Sequence, residues 1–296
     1  MEVHKFGGGI LNSAPAIKHL SEVLKKIECE KPAVIVVSAL GKTTNMLEKL
    51  ADAYFSGNTD KSSAFEEIKD YHWQIVDGLF ADKSDGIFEA VNDLFVALER
   101  ETNNKSAYPY NQTYDQIVCY GELLSARIVS AYLKHMKIDN KLWDARDFIK
   151  TNDTYREALV DWTATKQLLN KKFENESEPV FLVTQGFIGK NNENFSTTLG
   201  REGSDYTAGL IGNIMNVSKV VLWKDVPGVM DKNPHIAGGE NAKLISEIFY
   251  EQFEKLLQKN AKGLVHPKTL NEVKHKKISL QIRPFWDLQS HGTMVV

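Results

Sequence analysis

The stretch VHKFGGG, Val3 to Gly9, is a short strand that runs straight into three glycines. A lysine delivered by such a strand, beside residues without a Cβ, sets an ammonium next to open backbone N–H groups, as phosphate binding requires. Glycine runs also make ordinary tight turns, and a strand-end lysine is often solvated, so a plain turn is the alternative reading of this stretch alone. The residues that follow supply context. Ile17, Leu20, Leu24 and Ile27 recur at helical spacing, with Asn12 and Ser13 as caps and Pro15 in the first turn. Ala33 to Val37, behind Pro32, is a continuous β-branched run of the kind that forms a strand buried on both faces, and it ends at Ser38 in a polar loop.

Strand-like and helix-like stretches alternate along most of the remaining chain, which predicts an α/β protein with a mostly parallel central sheet. The stretch Asp60 to Asn104, charged and aromatic, reads as helical packing around a core or as the surface of a homodimer. Ile117 to Leu133 reads as a helix, Lys141 to Trp143 as a short strand, and Thr154 to Phe173 as mainly helical. The polar connector ENESEP, Glu174 to Pro179, reads as a boundary between an N-terminal lobe of about residues 1–178 and a C-terminal lobe of about 179–296, with one continuous sheet shared by both lobes as the open alternative. Beyond it, Val180 to Val183 and Val220 to Trp223 read as strands, a turn at Lys190 to Glu193 suggests a hairpin, Tyr206 to Met215 is helical, and Ile278 to Ile282 reads as the final strand.

Composition narrows the function classes. With 296 residues, 42% hydrophobic and 25% charged, the chain is long enough for one large core or two joined lobes. A net charge of -3 supplies no basic field for nucleic acid, so small molecules are the expected partners. Cys29 and Cys119 have neither zinc-site nor disulfide-framework spacing, which points to a reducing cytoplasm. The first residues lack an apolar signal region, and no run is long enough for a membrane span.

Polar and glycine residues concentrate where strands end. Loops at the carboxyl edge of an open parallel sheet converge on one crevice, so these segments predict a single site. In GREGSDYTA, Gly200 to Ala208, Arg201 can grip a carboxylate with two parallel hydrogen bonds, while Ser204 and Asp205 stand at a helix start. Ser204 as a plain N-cap and Asp205 as a first-turn acid are the alternatives.

Seven segments in order then carry a resemblance: KFGG (Lys5 to Gly8), VVSALGKTTNML (Val36 to Leu47), YGELLSAR (Tyr120 to Arg127), TQGFIG (Thr184 to Gly189), GREGSDYTA, DVPGV (Asp225 to Val229) and VHPKTL (Val265 to Leu270). The chain resembles the catalytic domain of aspartate kinases, in the amino-acid kinase family. The resemblance implies a three-layer αβα sandwich, an N-terminal substrate lobe and a C-terminal nucleotide lobe. The implied reaction moves the γ-phosphoryl group of ATP to the side-chain carboxylate of L-aspartate, the first step of lysine, threonine and methionine biosynthesis. The acceptor is already ionised at neutral pH, so no general base is needed and catalysis is positioning plus charge neutralisation. By the resemblance, Lys5 stabilises the transferring group with Gly7, Gly8 and Ser38, and Asp205 positions the lysine or the metal-bound phosphates. Glu122 accepts the α-ammonium, Arg201 holds a carboxylate, and Thr43, Thr44, Asn45 and Ser204 line the acceptor pocket. Lys224, Asp225, Val226, Gly228 and the loop to His235 serve the nucleotide. Mg²⁺ is expected on ATP oxygens and water, without an assigned protein ligand.

Departures from the family pattern are specific. Gly9 and Ile10 replace hydroxyl residues, Glu202 replaces a glycine and adds negative charge, and Lys224 and His235 stand where the pattern has threonine and arginine. Lys262 is displaced by one residue from a usual lysine. The family normally continues into ACT-type regulatory domains, whereas this sequence stops at Val296, so the expectation is a catalytic domain without an ACT pair. Two rivals stay open: a paralogue that binds without phosphoryl transfer, and a kinase of the same fold acting on another acid such as glutamate or carbamate.

Overall fold

A computed structural model describes residues 1–27, 32–58, 60–103, 107–176, 181–232, 241–259 and 264–296. The first half contains β1 (Glu2–Phe6), α1 (Ala14–Lys26), β2 (Ala33–Val37), α2 (Thr43–Ser56), α3 (Lys61–Leu79), α4 (Ile87–Asn103), α5 (Tyr110–Val118), α6 (Tyr120–His135) and β3 (Asn140–Trp143). The second contains α7 (Trp162–Glu174), β4 (Phe181–Gln185), β5 (Ile188–Lys190), β6 (Ser196–Thr198), α8 (Gly203–Met215), β7 (Lys219–Lys224), β8 (Glu247–Ile248), α9 (Tyr250–Lys259), α10 (Pro267–His275), β9 (Ser279–Pro284) and β10 (Thr293–Val295).

Eight strands form one sheet in the order β3-β4-β2-β1-β7-β9-β10-β8, and all neighbours are parallel except β9 and β10. Helices cover both faces, which is why β2 and β4 are buried at every residue and read as continuous apolar runs. The interleaving has a consequence for the connector. β4 follows Glu174 to Pro179 yet pairs between β3 and β2, so one sheet runs through the residues on either side of it.

Local signals account for the first elements. Ser13 caps α1 by accepting from the Ala16 N–H, and Pro15 fills its first turn. The hairpin appears as β5 against β6, and the Asp60 to Asn104 stretch is α3 and α4, whose Ile68, Val76, Val91 and Leu98 enter the core.

Three expectations are corrected. The helix over Ile117 to Leu133 is two helices meeting at Cys119: α5 reaches the hairpin through Gln116, whose side chain exchanges hydrogen bonds with Ser196, while α6 is buried against the sheet. The stretch from Thr154 becomes helical only at Trp162, because tertiary acceptors take its N–H groups. Arg156 N–H goes to Asp115, Ala158 N–H to Thr198 O, and Leu159 N–H to Asn152. Ile278 to Ile282 is not the last strand, since β10 returns antiparallel to β9.

Candidate active site

The carboxyl ends of β1, β2, β4 and β7 lie on one edge of the sheet, and their loops meet the N-terminus of α8. Close approach there depends on residues without a Cβ. At Gly8 a Cβ would stand 2.3 Å from the Ala39 carbonyl oxygen, and at Gly186 it would stand 2.4 Å from the Ser204 Cβ. Gly8 O in turn accepts from the Gly41 N–H, which ties the loop after β1 to the one after β2.

At this edge two lysines share one carboxylate. Lys5 Nζ lies 2.5 Å from Asp205 Oδ1 and Lys224 Nζ lies 2.9 Å from Asp205 Oδ2, with Asp205 only 1% exposed. Burial works to raise the Asp205 carboxyl, but the two ammoniums outweigh it and hold the carboxyl below the usual aspartate value. Burial draws the Lys5 ammonium down from the usual lysine value, and Asp205 opposes the shift. Two cations on one anion leave an excess positive charge, with the first turn of α8 adding its partial charge.

Beside this triad opens a cavity of about 910 Å³, lined by Ser38, Thr44, Asn45, Glu122, Arg201 and Ser204 among others. Glu122 is 2% exposed; its Oε1 accepts from the Ala39 N–H at 3.3 Å while its Oε2 has no partner. Burial pushes this carboxyl up to about 8, so it is poised for a cation that would pull it back down. Thr43 is placed apart from the cavity: its side chain is fully buried and its hydroxyl donates to Leu40 O. Glu202, N-terminal cap of α8 in the left-handed region, does face the cavity, so its charge is not turned away. Ile10 is buried in the core, which accounts for an apolar residue at that position. Glu48, Asn111, Tyr114, Phe187 and the 154–157 loop also line the cavity, and sequence reasoning missed them.

The amino acid kinase family model matches residues 1–284. The chain belongs to that family. It is 28% identical over 298 residues to lysine-sensitive aspartokinase 3 of Escherichia coli, covering 99% of this chain and 63% of that protein. To aspartokinase 1, chloroplastic, of Arabidopsis thaliana it is 30% identical over 305 residues, covering 99% of this chain and 51% of that protein. The solved structure of E. coli aspartokinase III in complex with aspartate and ADP superposes with a TM-score of 0.88 at 27% identity, over 100% of this chain and 64% of that one. An isopentenyl phosphate kinase, at 12% identity and a TM-score of 0.55, shares the fold alone.

In this amino acid kinase the end of β7 carries Lys224 into Asp225, exposed, and Val226, half-buried. Gly228 has φ +144, and a Cβ there would meet Thr293 and Leu244, while the Val229 N–H donates to Thr293 Oγ1 at 2.8 Å. His235 and Lys262 lie outside the described residues. No helix among the described residues is long and apolar enough to cross a membrane.

Proposed function

We propose that the chain is the catalytic part of an aspartate kinase, which transfers the γ-phosphoryl group of ATP to the side-chain carboxylate of L-aspartate. The observation that carries this reading is the juxtaposition of the Lys5–Asp205–Lys224 triad with a cavity holding a buried, half-unpartnered Glu122 and the exposed guanidinium of Arg201. The likeness to aspartokinases, one of them solved with aspartate and ADP, supports it.

The chemistry follows from charge. The acceptor carboxylate is ionised, so the barrier lies in bringing it to an anionic phosphate. Asp205 aims the two ammoniums at the same place, and Lys5 neutralises charge that spreads over the transferring group, assisted by N–H groups of the Gly7–Gly8 loop and by Ser38. Glu122 takes the substrate ammonium, Arg201 its non-reacting carboxylate, and Thr44, Asn45 and Ser204 complete the pocket. Lys224, Asp225, Val226 and Gly228 serve ATP. We assign the acceptor mainly to residues of about 1–178 and the nucleotide to about 179–296, with Arg201 and Ser204 reaching across.

Among the described residues no three acidic, histidine or cysteine side chains converge on a metal site, and both oxygens of Asp205 are engaged by lysines. Mg²⁺ held on nucleotide oxygens and water is part of this reading, because the ion dehydrates reluctantly and usually keeps several waters. The ion would supply charge neutralisation on the β- and γ-phosphates. The spacing of the two cysteines fits a cytoplasmic enzyme.

A coupled ADP-release assay with ATP, Mg²⁺ and L-aspartate, beside L-glutamate and carbamate, tests the reading. Turnover confined to L-aspartate is expected. ATP binding by calorimetry with no turnover would favour a paralogue that binds without transfer.

A further inference from the structure

Seven non-glycine residues among those described have positive φ, and three of them, Arg156 (+69°), Phe187 (+68°) and Glu202 (+55°), line the same cavity. Left-handed backbone is costly for residues with a side chain and persists only where the surroundings impose it. At Arg156 the imposing group is visible. Its N–H donates to both carboxylate oxygens of Asp115, at 3.2 and 3.0 Å, and the buried Asp115 also accepts from the Thr198 N–H at 2.8 Å and hydroxyl at 2.7 Å.

The backbone clamp fixes the side chain's origin, and two rings fix its course. The guanidinium lies 4.3 Å from the centroid of Tyr114 and 5.8 Å from that of Tyr110. Tyr114 is itself held by donating to Glu48. No ion pair to a carboxylate occupies the Arg156 guanidinium among the described residues, so its donors remain available. The cavity wall meanwhile carries four acids, Glu48, Glu122, Glu157 and Glu202, against two cations, Arg156 and Arg201.

We propose that Arg156 is a second acceptor-reading residue, which joins Arg201 in binding the non-reacting carboxylate of a dicarboxylic amino acid. This rests on the proposed kinase reading. With Glu122 assigned to the ammonium, an acidic substrate entering beside Glu48, Glu157 and Glu202 needs more than one guanidinium to offset them, and Arg156 is the remaining cation on that wall.

The test uses calorimetry with L-aspartate and with β-alanine, which keeps the ammonium and the reacting carboxylate but lacks the other, on wild type, Arg156→Gly and Arg156→Lys. Glycine adopts φ +69° without strain, so the loop keeps its course when the side chain is removed. Arg156→Gly should bind L-aspartate roughly 10- to 100-fold more weakly, the scale for losing a charged hydrogen bond, with ATP and β-alanine binding unchanged. Arg156→Lys should recover part of the loss. Equal L-aspartate binding by wild type and Arg156→Gly would overturn the inference, as would parallel losses for both ligands, which mark general distortion. Failure of the wild type to bind L-aspartate would overturn the kinase reading itself.

Discussion

Replacing Glu122 with glutamine should stabilise the ligand-free protein in alkaline solution while weakening its hold on L-aspartate. Burial raises this carboxyl from the ordinary 4.5 to about 8, so between those values the folded protein keeps a proton that the unfolded chain has released. Stability present at low pH is then lost as pH rises through this window, which is the reverse of the usual salt-bridged acid. At about 1.4 kcal/mol per pH unit, levelling off near the folded value, the loss between pH 5 and pH 8 is roughly 3–4 kcal/mol. Asp115, raised by burial to about 6, has the same sign over a lower window, but it is common to both proteins and cancels in their difference. Urea midpoints of wild type and Glu122→Gln would be compared near pH 5 and pH 8. The mutant's advantage should grow from nearly nothing to about 1 M urea, given a slope on the order of 3 kcal/mol/M. Equal pH dependence in the two proteins would refute the argument that an uncompensated buried carboxylate waits here for a cation.

Two further outcomes separate binding from folding. Arg201→Ala should weaken L-aspartate binding by roughly 10- to 100-fold and leave ATP affinity unchanged in calorimetry, if the exposed, cavity-lining guanidinium has the acceptor role proposed for it. Gly8→Ala should lower the melting temperature and abolish turnover, because a Cβ 2.3 Å from the Ala39 carbonyl oxygen and 2.9 Å from that of Gly41 meets backbone on both sides; the expected destabilisation is about 1–3 kcal/mol.

What could be read from sequence was what local chemistry decides. The Ser13 cap, Pro15 and the uninterrupted β2 run each carry their own signal, and each appears in the structure at its expected place. Lys5, Asp205, Lys224, Glu122 and Arg201 were legible as candidates because they sit in glycine-rich or motif-bearing segments at strand ends, and the fold brings them to one edge. The 154–161 segment was not legible. Tyr155, Arg156, Glu157 and Ala158 are compatible with a helix, and it is Asp115 and Thr198, more than 35 residues away in sequence, that take the N–H groups of Arg156 and Ala158 out of that pattern. Missing that clamp hid Arg156 and the Tyr114–Glu48 pair from the cavity wall. Thr43 illustrates the converse, since a motif places it near the pocket while its hydroxyl is spent on the Leu40 carbonyl in the loop before its own helix. β10, three residues long, is too short for a periodicity to declare it.

If the Lys5–Asp205–Lys224 edge moves a phosphoryl group onto a carboxylate, as proposed, the product can be trapped. An aspartyl phosphate is an acyl phosphate, so incubation with ATP, Mg²⁺, L-aspartate and hydroxylamine should yield the aspartyl hydroxamate in step with ADP. Lys5→Met, folded by circular dichroism, should form it on the order of 100-fold more slowly, the scale for removing one preorganised charge. Absence of hydroxamate from the wild type, or an undiminished rate in Lys5→Met, would contradict the account.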